Sequence, residues 1–176
     1  MAFLHDKQTV HGDLKSANVL FDGDGKAKIA DFGSSLWTHH TTRTATSSVN
    51  PGQTVGMSLP WAAPEVLNRK SATFETDVYS FGVVVWECLS RKVPWGDVTS
   101  VDMLVLSVNQ GERPALPSEA PADLQALTKS CWAQDPTVRP TFKRILVDLQ
   151  TTTSSSTSLA QERGSGSDRS WCYNWG

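Results

Sequence analysis

A chain of 176 residues is long enough to bury the core of one domain, and its formal charge of −2 at pH 7 supplies no pull on nucleic acid or an anionic membrane. Its cysteines, Cys88, Cys131 and Cys172, are odd in number and widely spaced. They fit no metal-ligand pattern and read as reduced thiols of a cytoplasmic protein.

Met1 to Lys7 is too short and polar for a signal peptide, and no run approaches the roughly 18 apolar residues of a membrane span, so the chain reads as soluble. His11-Gly12-Asp13-Leu14-Lys15-Ser16-Ala17-Asn18 then crowds an acid, an ammonium and an amide into six positions. Val19-Leu20-Phe21 follows as a short strand, Asp22-Gly23-Asp24-Gly25 as a turn and Lys26 to Ala30 as the returning strand. A tight antiparallel return brings the flanking residues Asn18 and Asp31 side by side, with Asp13 and Lys15 close by. Two hard oxygen ligands suit a magnesium ion that keeps most of its waters and also holds a phosphate. Lys15 can neutralise phosphate charge, and Asp13 can accept a proton from an attacking hydroxyl. Together they make a phosphoryl-transfer constellation. The turn resembles a calcium loop only superficially, since Lys26 takes a ligand position and no glutamate closes it.

Residues 34–62 form a long connection rich in hydroxyls, among them Thr41, Thr42, Thr44, Thr46, Ser47 and Ser48. Connections this long in a compact domain are usually functional or mobile. His39-His40 has no third ligand nearby and reads as exposed loop. Glu75 to Ser90 is the strongest helix, with Thr76 as N-cap and Asp77 in the first turn, where the helix dipole favours a carboxylate. Its interior, Phe81 to Trp86, is apolar on every face, as expected of a helix buried all round. The three consecutive valines leave a strand as the competing reading. Val93 to Gly96 is a turn, and Val98 to Gln110 is helical with one broad apolar face that includes Val101, Met103, Leu104, Leu106 and Val108. Pro114, Pro117 and Pro121 break the chain. Ala122 to Trp132 forms another helix, and Thr141 to Gln150 the last, with Phe142, Ile145, Leu146 and Leu149 facing inward. Thr151 to Gly176, rich in Ser, Thr and Gly, cannot bury enough apolar surface to offset its ordering entropy and reads as a disordered tail. Trp171-Cys172-Tyr173-Asn174-Trp175, near its end, is a short docking motif or an unselected extension.

His11 to Asn18 resembles the catalytic loop of eukaryotic protein kinases, Asp31-Phe32-Gly33 their DFG motif, and Ala63-Pro64-Glu65 their APE motif. Asp77-Val78-Tyr79-Ser80-Phe81-Gly82 and Asp135 to Pro140 resemble two later landmarks, and all five stand in the family order. The resemblance covers residues 1–150 and implies an α+β fold: the mainly helical large, C-terminal lobe of a protein kinase, with a short β-hairpin at the catalytic loop. It implies ATP and Mg2+ as cofactors and a protein substrate carrying Ser or Thr. Asp13 would be the base, Lys15 would contact the transferring phosphate, and Asn18 and Asp31 would hold magnesium. His11, Phe32, Gly33, Glu65, Asp77 and Arg139 would be structural: Asp77 bonding the catalytic-loop backbone, and Arg139, otherwise an exposed loop arginine, pairing with Glu65. Residues 34–62 would be the activation segment.

Lys15, two residues after Asp13, resembles serine/threonine kinases, and Ser58-Leu59-Pro60-Trp61 before the APE motif resembles the substrate-binding segment of serine/threonine kinases in the tyrosine-kinase-like group. Gly12 departs from the pattern, because most kinases place there the arginine that binds a phosphorylated activation segment. The glycine-rich loop, strand lysine and helix glutamate of the small lobe have no counterpart in the chain, and Met1 need not be a natural start. A chain of these residues alone is expected to be inactive. The rival readings are a non-catalytic, kinase-derived interaction module and a truncated record.

Overall fold

In the computed structural model, residues 1–34, 36–37 and 58–151 are described. The expectations for the hydroxyls from Ser35 to Thr54, for His39-His40, for Cys172 and for the tail beyond Thr151 lie outside these residues. The fold is α+β and mainly helical, with two separate two-stranded antiparallel sheets among the described residues.

Its axis is α3 (Phe74–Ser90), so the valine run is helical and not a strand. The helix begins one residue before the Glu75 expected from sequence, and Thr73, not Thr76, is its N-cap. Thr76 Oγ1 accepts from the Thr73 amide at 3.0 Å and donates to the Thr73 carbonyl at 2.7 Å, which ties off the first turn. Glu75 and Asp77 lie in that turn, on the favourable end of the dipole. Arg91 ends the helix in the left-handed conformation at φ 55°.

Two apolar clusters share this helix. Tyr79, Val83 and Trp86 pack with Ala63, Leu104, Val108 and Trp132. Val78 packs with Leu14, Cys131, Phe142 and Ile145. The close approach of α5 (Ala122–Cys131) to α3 depends on Gly82, where a Cβ would lie 2.8 Å from Cys131 Cβ and 3.2 Å from the Trp132 nitrogen.

Around this post stand α1 (Ala2–Asp6), α2 (Pro64–Leu67), α4 (Val101–Asn109) and a last helix, α6, over 142–151. Thr151, assigned above to the tail, is helical and belongs to α6. Two other expectations are corrected. On α4 only Leu104 and Val108 are buried, while Val101, Met103 and Leu106 stand about half exposed, so its inward face is a narrow stripe. On α6 Phe142 and Ile145 are buried but Leu146 is 50% exposed. That helix meets the core along one edge, and Leu146 lies on the flank. Among the described residues, no helix is long and apolar enough to cross a membrane.

β2 (Val19–Phe21) and β3 (Ala27–Ile29) form the expected hairpin, with Val19 opposite Ile29 and Phe21 opposite Ala27. Asp22 Oδ1 builds its turn by accepting from the Asp24 and Lys26 amides at 3.1 and 2.8 Å, and Gly25 takes the left-handed φ of 74°. β1 (Thr9–Val10) pairs with β4 (Leu36–Trp37), a strand that the sequence reading assigns to the long connection.

Candidate functional site

The buried Asp77 carboxylate, 1% exposed, orders the loop that follows β1. Its Oδ2 accepts from the His11 amide at 2.7 Å and from His5 Nε2 at 2.9 Å, and its Oδ1 accepts from the Gly12 amide at 2.9 Å. Two successive amides can converge on one carboxylate because Gly12 has φ 80°, in the region that favours glycine. The His11 ring is buried and donates from Nε2 to the Ala30 carbonyl at 3.0 Å. A carbonyl only accepts, so the proton lies on Nε2, and Nδ1 can accept from the Asp13 amide at 3.3 Å. Phe32 stacks obliquely on the same ring with centroids 5.4 Å apart.

With its backbone held in this way, Asp13 places Oδ2 2.9 Å from Lys15 Nζ. Lys15 Nζ also donates to Ser58 Oγ at 2.8 Å, which brings in the segment before the APE motif. Asn18 is buried and donates from Nδ2 to the Asp13 carbonyl at 2.8 Å, so its side-chain oxygen is the atom left for a ligand. Its own carbonyl accepts from the Ala30 amide at 2.9 Å, and that bond sets the exposed Asp31 next to it. Asp31 sits at φ 61°, and its Oδ1 accepts from the Gly33 amide at 3.3 Å. Asp13, Lys15 and Asn18 are therefore gathered by direct contacts, and Asp31 joins them through the hairpin. A small pocket of about 110 Å³ opens between Asp13 and Gly12 on one side and Ser58, Trp61 and Ala62 on the other.

Farther from the loop, Glu65 and Arg139 form a bidentate pair at 2.6 and 3.0 Å across 74 residues of sequence. The arginine also donates to the carbonyls of Ala133 and Glu75. Two functional candidates escape the sequence reading. His5 is one, a donor to Asp77. The other is Glu87, whose Oε1 accepts from Ser16 Oγ at 3.0 Å and whose Oε2 accepts from Trp61 Nε1 at 2.5 Å. Burial raises the Glu87 carboxyl above its ordinary value, and the hydrogen bonds from Trp61 and Ser16 partly oppose the rise. A carboxylate directly after the apolar run Phe81 to Trp86 is the only sequence signal for it.

Comparison with known proteins matches residues 1–149 to the family of protein tyrosine and serine/threonine kinases. The chain is 35% identical over 150 residues to the serine/threonine/tyrosine-protein kinase HT1 of Arabidopsis thaliana, covering 85% of this chain and 36% of that protein. It is 36% identical over 146 residues to serine/threonine-protein kinase STY17 of the same plant, covering 83% of the chain and 24% of the relative. It is 36% identical over 160 residues to bovine (Bos taurus) receptor-interacting serine/threonine-protein kinase 2, with coverages of 84% and 29%. The chain thus spans about a quarter to a third of the length of these relatives.

Proposed function

Because the chain belongs to the protein tyrosine and serine/threonine kinase family, we propose that it is the large lobe of an ATP- and Mg2+-dependent serine/threonine kinase that phosphorylates protein hydroxyls. The observation that carries this reading is the chain of contacts Asp13–Lys15–Ser58, which joins a carboxylate, an ammonium and the neighbouring segment at one point.

The donor set fits the implied cofactors. Asn18 and Asp31 offer hard oxygens to a magnesium ion, and Lys15 uses two of its three N–H bonds on Asp13 and Ser58, which leaves one for a phosphate oxygen. When bound, Mg2+·ATP supplies the γ-phosphoryl group and screens its charge. Asp13 Oδ accepts the proton of the substrate hydroxyl, so the O–H bond breaks as that oxygen bonds to phosphorus and ADP departs. Lys15 holds the Asp13 carboxylate in place and stabilises negative charge on the transferring group. Ser58 keeps Lys15 aimed at this point.

The proposal extends to the chain on its own: a polypeptide of these 176 residues lacks the other half of the nucleotide cleft and transfers no phosphate by itself. A cytoplasmic setting accords with the free thiols of Cys88 and Cys131. One observation favours the second reading, a non-catalytic interaction module. Leu20, Phe21 and Phe32, on the hairpin and the turn that follows it, are 54%, 73% and 48% exposed, and such apolar side chains suit contact with a small lobe or another protein.

The test is to join the chain to a kinase small lobe and assay Mg2+-dependent transfer from ATP to serine-, threonine- and tyrosine-containing peptides. Phosphoserine or phosphothreonine formation that Asp13→Ala abolishes supports the proposal. Phosphotyrosine alone, or transfer indifferent to Asp13, contradicts it.

A further inference from the structure

We propose that Glu87 is a positioning residue that couples the catalytic loop to the segment Ser58–Trp61, and so holds the peptide-receiving side of the site in register with Asp13. The proposal deepens the kinase reading and rests on it. Glu87 lies ten residues beyond Asp77 on α3, roughly 15 Å along the axis of one rigid helix. That helix therefore grips the catalytic loop twice: at its start, through Asp77 and the His11 and Gly12 amides, and between Lys15 and Asn18, through Glu87 and Ser16 Oγ.

Each Glu87 oxygen serves a different element. Oε1 takes the hydroxyl of the loop, and Oε2 takes the indole N–H of Trp61. The segment is pinned again where Ser80, one turn into the same helix from Asp77, donates from Oγ to the Trp61 carbonyl at 2.9 Å. Lys15 and Ser58 complete a ring that runs from Asp13 through Lys15, Ser58 and Trp61 to Glu87, then back to the loop at Ser16. Among the described residues, no cation forms an ion pair with Glu87. A half-buried carboxylate that meets two neutral donors and no described cation costs desolvation without the return of a salt bridge. Its value lies in joining those donors.

The chemistry predicts which replacement succeeds. Glutamine can still accept the Trp61 N–H on its oxygen while its NH2 donates to the Ser16 hydroxyl, which can turn to accept. Alanine can do neither.

In the chain joined to a small lobe, Glu87→Ala should raise KM for a peptide substrate about tenfold while KM for ATP stays within about twofold, and Glu87→Gln should restore most of the loss. Trp61→Phe, which keeps the ring and the carboxylate, should reproduce the alanine effect even if Glu87→Ala folds poorly. The second measurement needs no activity: hydrogen exchange of the Trp61 indole N–H by NMR. Ser16→Ala, which does not touch Trp61, should speed that exchange at least about threefold, since the relay through Glu87 is loosened. Unchanged exchange in Ser16→Ala overturns the coupling, and so does an active parent whose peptide KM ignores both Glu87→Ala and Trp61→Phe. If the parent shows no transfer, the kinase reading fails, and the exchange experiment still decides the coupling.

Discussion

Arg139→Ala should unfold this lobe far more readily than the loss of a surface arginine would. The Arg139 side chain is 0% exposed and Glu65 only 12%, so the pair is shielded from water. The substitution removes two bonds to Glu65, at 2.6 and 3.0 Å, and strands the carbonyls of Ala133 and Glu75, which accept from the same guanidinium at 2.9 and 3.0 Å. It also removes a cation from the face of Tyr79, 5.1 Å from the ring centre. Taking one partner from a buried pair costs about 3–5 kcal/mol, because the remaining carboxylate stays buried without compensation. For a chain of this size that loss lowers Tm by about 6–20 °C. The assay is thermal and urea unfolding of the parent, Arg139→Ala, Arg139→Lys and the Arg139→Ala/Glu65→Ala double variant. Lysine should recover only part of the loss, since a point charge cannot reproduce the fork. The double variant should be less damaged than the sum of its single changes, since it leaves no stranded charge. A loss below about 1 kcal/mol in Arg139→Ala, or strict additivity, would refute the reasoning.

Gly82→Ala should destabilise by about 1–2 kcal/mol in urea unfolding despite alanine's better helix propensity, because its Cβ would meet Cys131 Cβ at 2.8 Å. Burial pushes the Tyr79 hydroxyl up to about 12, so an absorbance titration should show it ionising far above an ordinary tyrosine. The sign follows from linkage: a raised folded value stabilises below pH 10 and is lost as pH climbs from 10 towards 12, so Tyr79→Phe should lessen the alkaline decline. Gly12 stands where an arginine would bind a segment phosphate. With a small lobe joined, changing the hydroxyls from Thr41 to Ser48 to alanine should therefore alter phosphoryl transfer less than about tenfold, or roughly 1.4 kcal/mol.

Local signals made much of this fold legible. Asp-Gly-Asp-Gly marked the hairpin turn because its geometry needs a side-chain acceptor and a left-handed glycine, and both are present at Asp22 and Gly25. The α3 run was readable as a buried helix to within a residue, but its N-cap was not. Thr73 and Thr76 are both good caps, and only the hydrogen bonds between them separate N-cap from N3. The β1–β4 pairing joins two-residue strands far apart in the chain, too short to show periodicity. At the site, the crowding of Asp13, Lys15 and Asn18 was visible because those residues are neighbours in sequence. The Asp77 bonds to the loop, and the Glu65–Arg139 pair, span 65 to 74 residues and could be reached only through the family resemblance. Glu87 had no such guide, since its partners Ser16 and Trp61 come from two distant segments.

The most direct test of the account is transfer of radiolabelled γ-phosphate by the 176-residue chain, measured alone and again when joined to a small lobe. The account predicts no transfer above background by the chain alone, and transfer in the joined protein that Asp13→Ala abolishes. Transfer by the chain alone that Asp13→Ala removes would contradict the need for a second lobe. A folded, nucleotide-binding joined protein that transfers nothing would contradict the role given to Asp13, Lys15, Asn18 and Asp31.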